Sequence, residues 1–225
     1  MPWEPLPEKV TLTMATPEPK PFVLDSKKTA LVIVDMENYF CKRGNERMFA
    51  TIEGNVRLLN KARKAGAKII FIQSVRTSEA LEVVRFGRDP MLLEGTTDVE
   101  IVEEIAPLAG EIVVKKYSHD PFAGFGLDEV LAAEGIVPED GTVLVTGVSA
   151  AVCAHACALG FSNRHFMTLI PMDCTAAGTV EEEARTYAQY MGGAYNFNMD
   201  FTLSTLVEFS PVAAGATQVP AAALA

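Results

Sequence analysis

Thr142-Val-Leu-Val-Thr-Gly-Val-Ser-Ala-Ala-Val-Cys-Ala154 is the stretch from which the fold of this chain can be worked out. Its apolar first half predicts a buried strand, Gly147 a turn, and the residues from about Ala150 the start of a helix. Cys153 then lies at a helix N-terminus, where free N–H groups and the helix dipole favour negative charge. We therefore expect this thiol to ionise near neutral pH and to act as a nucleophile.

Strands and helices alternate along the rest of the chain. Apolar runs predict strands at 29–35, 68–74, 111–115, 142–147 and 166–171. Helical spacing of apolar residues predicts helices at 52–65, 98–106, 126–134, from about 150, and at 180–191. Because parallel strands need crossover connections, this order predicts an α/β fold: a doubly wound, Rossmann-like three-layer α/β/α sandwich with a mostly parallel central sheet.

Composition limits the classes of partner. The 225 residues are 49% hydrophobic and carry a net charge of −10, which disfavours nucleic acid and anionic membrane surfaces as partners. No apolar run is long enough to span a bilayer and the N-terminus does not resemble a signal peptide, so we expect a cytoplasmic protein with a small-molecule partner. The four cysteines are scattered, and free thiols are expected rather than a disulfide framework.

The chain divides into three regions by composition. Residues 1–28 contain six of the thirteen prolines and are predicted to form an extended arm that wraps a surface or a neighbouring subunit. Residues 29–210 form the predicted domain, and residues 211–225 a low-complexity tail.

The carboxyl ends of the predicted strands carry the candidate chemistry, because ligands bind there in doubly wound sheets. Asp35 ends the first strand and Cys153 follows the fourth. Either Lys115 or Lys116 ends the third. Of the three histidines, none is expected to form a dyad with the cysteine, and His119 is interpreted as a loop residue near the mouth of the site. An Asp–Lys–Cys set is the preferred candidate, since it supplies a base, a cation and a nucleophile.

Three blocks resemble those of the isochorismatase-like cysteine hydrolases over about residues 29–207. Leu31-Val-Ile-Val-Asp-Met-Glu-Asn-Tyr-Phe40 is similar to an apolar strand followed by D-M-Q-N-D-F. Val114-Lys-Lys-Tyr-Ser-His-Asp-Pro-Phe-Ala-Gly-Phe-Gly-Leu-Asp128 is similar to K-x-x-x-x-x-F-x-G-T-D-L-D, and Gly147-Val-Ser-Ala-Ala-Val-Cys153 to G-x-x-T-D-x-C. In the family pattern the phenylalanine stands six residues after the lysine, so Phe122 selects Lys116 over Lys115.

The resemblance implies a reaction and a set of catalytic roles. Asp35 is the implied acid and base, Lys116 the cation and Cys153 the nucleophile. A cis peptide between Val148 and Ser149 is implied, with the Ser149 and Cys153 N–H groups as an oxyanion hole. Because isochorismatases themselves lack the cysteine, its presence implies hydrolysis of a C–N bond in a small amide, ureido or carbamoyl compound through a thioester. In the implied mechanism Asp35 also activates water, and no cofactor is required. The resemblance further implies a dimer or tetramer.

Two departures from the family pattern bear on the substrate. The stretch Ser74-Val-Arg-Thr-Ser-Glu-Ala80 has no histidine of the kind that holds a metal in nicotinamidases, so no metal is expected. Glu37 replaces the usual Gln, and Ala150-Ala151 replaces Thr-Asp before the nucleophile. Glu37 either contacts substrate, accepting N–H bonds or repelling an anion, or faces water.

Four further residues are candidates for the pocket. Arg76 either binds a substrate carboxylate or carbonyl through its planar fork or is a solvated strand-end charge. The resemblance implies that Phe40 lines the pocket. Tyr117 and Phe122 are predicted pocket walls, with core packing as the alternative.

Two other functions stay open from the sequence. One is ether or ester hydrolysis driven by Asp35, as in isochorismatases; activity that survives alkylation of Cys153 indicates it. The other is a non-catalytic binding module that keeps the fold, for which the altered Ala150-Ala151 is the main argument. An unreactive Cys153 favours the module.

Overall fold

The computed structural model describes residues 7–8, 11, 13–43, 45–192 and 195–210. Its strands are β1 (Phe22–Asp25), β2 (Thr29–Val34), β3 (Lys68–Ser74), β4 (Ile112–Lys116), β5 (Thr142–Val148), β6 (Met167–Pro171), β7 (Thr175–Ala176), β8 (Met199–Thr202) and β9 (Val207–Ser210). Its α-helices are α1 (Asn38–Lys42), α2 (Glu46–Ala65), α3 (Leu81–Val84), α4 (Leu127–Ala133), α5 (Cys153–Asn163) and α6 (Val180–Met191).

The main sheet has seven strands, in the order β4-β3-β2-β5-β6-β8, with β7 paired to β5. Each of these neighbouring pairs is parallel. The predicted parallel α/β architecture is therefore confirmed. A separate parallel pair joins β1 to β9.

Side chains of β2 alternate between two cores, because successive residues of a strand point to opposite faces of the sheet. Ala30, Val32 and Val34 pack with residues of α4, α5 and α6. Leu31 and Ile33 pack with residues of α2 on the other face. The sheet is thus covered on both faces, which explains why β2 reads as a continuous apolar run.

Local chemistry sets the ends of two helices. The Asn45 side chain accepts the backbone N–H groups of Arg47 and Met48, so α2 begins six residues earlier than its apolar spacing predicted. Gly66 ends it in a left-handed conformation, with φ of 71°. At α6, a Thr179–Glu182 capping box places the start where it was predicted.

Several sequence predictions need correction. The helix predicted at 98–106 is wrong: two 3₁₀ turns, Thr97–Val99 and Glu103–Ile105, occupy this stretch. The helix predicted from about residue 150 begins at Cys153. Strands β1, β7, β8 and β9 were not predicted; with two to four residues each, they are too short for a periodicity to be seen.

The two terminal regions are described only in part. Within the predicted arm, β1 pairs with β9 and joins this stretch to the last strand of the domain. The tail predicted at 211–225 lies outside the described residues. The boundaries of the three regions and the homo-oligomer stay predictions. No helix in the described ranges is both long and apolar enough to cross a membrane.

Candidate active site

Strand register brings the candidate residues to one edge of the main sheet. Val34 lies opposite both Ile72 and Gly147, so the residues after β2 and β5 are neighbours. Ser74 lies opposite Lys116 at the ends of β3 and β4. Four strands of the sheet therefore end at the same place, which is where the sequence predicted the site.

The centre of the site is a buried ion pair. Lys116 Nζ donates to Asp35 Oδ2 at 2.7 Å and to Ser74 Oγ at 2.7 Å, and Ser74 Oγ lies 3.1 Å from the same carboxylate oxygen. Asp35 and Lys116 are both 0% exposed. Burial by itself lowers the pKa of Lys116, but the neighbouring groups, with the Asp35 carboxylate first among them, together outweigh burial and the pKa is raised, so the lysine stays charged.

Backbone geometry at the strand ends positions the carboxylate. Asp35 has a φ of 50°, in the left-handed region that Asp tolerates better than most residues, and its N–H donates to Ile72 O at 2.9 Å. Gly147 has a φ of 94°, and a Cβ there would lie 1.9 Å from Val34 O. Only glycine therefore permits β5 to approach β2 this closely.

Cys153 is the first residue of α5, and its environment keeps the thiol protonated. Burial first, and then the Asp35 carboxylate, raise the pKa of Cys153 to about 12, although Lys116 acts in the opposite direction. The expectation of a thiol ionised near neutral pH is therefore wrong for the resting site. The helix N-terminus favours a thiolate, but burial and a neighbouring anion oppose it more strongly.

The turn before α5 presents two free N–H groups. The Val148–Ser149 peptide is cis, at the position where the resemblance implies one. Ser149 O accepts hydrogen bonds from Val152 and Ala154. Among the described residues, neither the Ser149 N–H nor the Cys153 N–H donates a hydrogen bond, so both are available to a ligand.

The family follows from this fold together with the sequence match. Residues 29–196 match the family model described as the isochorismatase domain. The chain belongs to the isochorismatase-like hydrolase family. This stretch runs from β2 to beyond α6, so it includes the four strand ends and the start of α5.

Three known proteins show the range of similarity. Ureidoacrylate amidohydrolase RutB of Stutzerimonas stutzeri (strain A1501) is 28% identical over 166 residues, which are 61% of this chain and 65% of that protein. N-carbamoylsarcosine amidase from Thermoplasma acidophilum has a TM-score of 0.67 and 26% identity, covering 79% of this chain and 96% of its own. A cysteine hydrolase from Pseudomonas syringae pv. phaseolicola 1448A, with a TM-score of 0.71, 21% identity and coverage of 83% and 94%, shares the fold.

Glu37 of this isochorismatase-like hydrolase is buried beside the ion pair. It is 0% exposed, and its Oε1 accepts the Ser74 N–H at 2.6 Å. Its Oε2 has no hydrogen-bond partner among the described residues. The alternative that Glu37 faces water is therefore wrong. Burial, followed by the negative charge of Asp35, raises the pKa of Glu37 well above its usual value.

Replacing Glu37 by glutamine is expected to change how stability depends on pH. Folding raises the pKa of Glu37 above its usual value of 4.5. Its contribution to the free energy of unfolding is therefore full below about pH 4.5 and is lost as the pH rises through the raised pKa. Glu37→Gln has no such loss, so its melting temperature relative to the wild type should rise with pH above about 4.5. Differential scanning calorimetry across pH measures this. A constant difference, equal to that of the exposed control Glu139→Gln, would contradict the buried acid.

Arg76 is a largely buried cation at the end of β3. Its side chain is 11% exposed, and Nε donates to Oε1 of Glu82 on α3. The alternative of a solvated charge is therefore wrong. The ion pair with Glu82 can be exchanged for one with a substrate carboxylate. Binding of substrate by Arg76 therefore remains a prediction.

The three aromatic candidates occupy different surroundings. The Phe40 ring is partly buried and meets Tyr39 edge-on. Tyr117 is 54% exposed. Phe122 packs against Phe161, with the Arg164 guanidinium 3.7 Å from its ring centre. This packing agrees with the alternative that Phe122 is a core residue. Contact of Phe40, Tyr117 or Phe122 with substrate stays a prediction.

Sequence reasoning missed His119. Its Nδ1 lies 3.3 Å from Cys153 Sγ, so the expectation that no histidine is placed as a dyad with the cysteine requires is wrong. The available signal was its place three residues after Lys116, at one of the strand ends that form the site. Within the described part of the chain, no group of three His, Cys, Asp or Glu side chains could hold a metal ion.

Proposed function

We propose that this protein is a cysteine-dependent amidohydrolase that cleaves a C–N bond of a small amide, ureido or carbamoyl compound. The buried Asp35–Lys116 pair beside Cys153 carries the proposal, because it supplies a base and a cation next to a thiol at a helix N-terminus. The names of two relatives, ureidoacrylate amidohydrolase and N-carbamoylsarcosine amidase, support this class of substrate.

Acylation begins with the thiol proton. Asp35 Oδ1, which has no hydrogen-bond partner among the described residues, takes the proton from Cys153 as Sγ attacks the carbonyl carbon. Lys116 stabilises the negative charges of this step. Since the thiol is protonated at rest, proton transfer and attack are coupled, and Asp35 then returns the proton to the departing nitrogen.

The oxyanion is assigned to the turn before α5. The N–H groups of Ser149 and Cys153, free of hydrogen bonds within the described structure, stabilise the oxygen of the tetrahedral intermediate. Collapse of this intermediate releases the amine or ammonia and leaves a thioester on Sγ, which water then hydrolyses.

Ammonia or amine release from a panel of small amides, ureido acids and carbamoyl amino acids tests this function, with Cys153→Ala as the blank. Turnover that depends on Cys153 supports it. Hydrolysis of ethers or esters that survives alkylation of Cys153 points instead to chemistry driven by Asp35. A binding module is indicated when none of these compounds is turned over.

Arg76 is expected to select substrates that carry a carboxylate. A charge-assisted hydrogen bond contributes about 1.5–3 kcal/mol, so Arg76→Leu should raise KM for ureido acids about 10- to 100-fold. Neutral amides should keep their KM within about threefold, because they offer no charge to the guanidinium.

Glu82→Gln is the matched control for Arg76→Leu. It removes the charge of the internal partner while leaving the arginine in place, so KM for ureido acids should fall or stay unchanged. Steady-state kinetics on one acidic and one neutral substrate measure both variants. An equal rise in KM for both substrates in Arg76→Leu would show that Arg76 supports the fold of the loop and does not bind the acid.

A further inference from the structure

The loop after β4 places His119 beside the proposed nucleophile. Its Nδ1 lies 3.3 Å from Cys153 Sγ. His119 is exposed, whereas Asp35 and Lys116, whose charges also act on the thiol, are fully buried. Of these three side chains, His119 is therefore the one on the solvent side of Sγ.

The proposed mechanism leaves this side of Sγ to one part of the substrate. Attack by Sγ produces a carbon that carries three other substituents. The oxygen lies at the free N–H groups of Ser149 and Cys153. The departing nitrogen lies at Oδ1 of Asp35, where water later takes its place. The third substituent, which stays on the acyl group, is directed to the remaining side, and that side holds His119.

The charges around His119 favour a neutral ring. Partial burial lowers the pKa of His119. The positive charges of Lys116, Arg76 and Arg88 lower this pKa further, and Asp35 acts in the opposite direction. A neutral imidazole has one ring nitrogen that accepts a hydrogen bond. With the ring proton on Nε2, that nitrogen is Nδ1, the atom that faces Sγ.

Nδ1 of His119 lacks a donor when the carbon–sulfur bond forms. The thiol carries a single proton, and in the proposed mechanism this proton passes to Asp35 as Sγ attacks. Among the described residues, the sulfur of Cys153 is the only hydrogen-bonding group that Nδ1 contacts. An acceptor that bound substrate shields from water costs free energy when it has no donor, and an N–H group of the substrate removes that cost.

We propose that His119 binds the nitrogen that stays on the acyl group, with Nδ1 accepting its N–H. A nitrogen bonded to the attacked carbon lies two bonds from Sγ, so an atom 3.3 Å from Sγ is within hydrogen-bond reach of it. This inference rests on the proposed function and narrows its substrate class to compounds with an NH–CO–NH2 group. Whichever C–N bond of that group breaks, the retained nitrogen carries an N–H, whereas a simple amide has carbon in its place.

Matched substrates that differ in one group test this role. 3-Ureidopropionate and glutaramate have the same length and charge, but the first has NH where the second has CH2 beside the reacting carbonyl. N-ethylurea and butanamide form the equivalent neutral pair. His119→Leu removes the acceptor, so it should lower the ratio of kcat/KM for the ureido compound to kcat/KM for the amide by about 10-fold. Ammonia release, direct or from breakdown of carbamate, measures both rates.

Three variants control for the acceptor, for the site of mutation and for background. His119→Asn can place an amide oxygen near the position of Nδ1, so the ratio should stay within about threefold of the wild type. His165→Asn replaces an exposed histidine with a φ of 67°, a conformation that Asn tolerates, and should change neither rate. Cys153→Ala sets the background release. Melting temperatures show whether each variant keeps its fold.

The outcomes are distinct. Unchanged rates in His119→Leu overturn the role of His119. An equal fall in kcat/KM for both members of a pair also overturns it, because His119 would then only position Sγ. So does a ratio in His119→Asn as low as in His119→Leu, because the effect would then not depend on an acceptor. Each of these results leaves the proposed function standing, since the release still depends on Cys153. If the wild type hydrolyses no compound faster than Cys153→Ala does, both proposals fall.

Discussion

Replacing Cys153 by alanine is expected to lower the rate of C–N hydrolysis by about 10,000-fold or more while leaving the fold intact. The thiol is the proposed nucleophile, and Asp35 and Lys116 act through it, so no residue next to it can take over the covalent step. The loss of one sulfur atom at the start of α5 removes little packing. Ammonia release measures the activity, and circular dichroism with thermal melting measures the fold.

Cys157→Ala is the matched control for this variant. Cys157 lies one helical turn later on α5 and is 0% exposed, in the core between the helix and the sheet. Its replacement should cost about 1 kcal/mol of stability through a small cavity and keep full activity. Hydrolysis by Cys153→Ala at a rate close to that of Cys157→Ala would exclude a thioester mechanism.

Removing the charge of Lys116 is expected to give the largest loss of stability. In Lys116→Met, Asp35 remains buried without its cation, and breaking a buried pair costs about 3–5 kcal/mol. For a chain of this size that corresponds to a fall of about 10 °C in melting temperature. Activity should fall by about 1,000-fold or more, because the charges of the acylation step lose their counterion.

Two further variants make this test specific. Lys115→Met removes the neighbouring lysine, whose exposed ion pair with Glu94 should contribute less than about 1 kcal/mol. The double variant Asp35→Asn/Lys116→Met removes both buried charges and should recover much of the lost stability without recovering activity. Single effects that simply add in the double variant, or a Lys116→Met as stable as Lys115→Met, would contradict a buried ion pair.

Local sequence does not show which of Lys115 and Lys116 lies in the site. Both end the same strand, and the residues alone left the choice between them open; the resemblance to the family selected Lys116. In the structure the alternation of β4 turns Lys115 outward to Glu94 and Lys116 inward to Asp35. Which face of an edge strand is buried depends on its partners in the sheet, and those partners lie far away in the sequence.

Contacts between segments distant in the chain also explain why the predictions about Cys153 and His119 were wrong. A helix N-terminus can be recognised from local sequence, and from it a reactive thiol was expected. The pKa of the thiol depends on solvent exclusion and on the Asp35 carboxylate, which come from other strands. The approach of His119 depends on the path of the loop after β4, which has no periodic pattern to predict it.

The sequence by itself determined the alternation of strands and helices, the parallel sheet and the strand ends at which Asp35 and Cys153 lie. These features follow from hydrophobic periodicity and from glycine turns, which are local. Only the tertiary structure decided that Glu37 is buried and that Arg76 is paired with Glu82. Contacts of this kind join segments distant in the chain, and burial and electrostatic neighbours exist only after those segments have packed together.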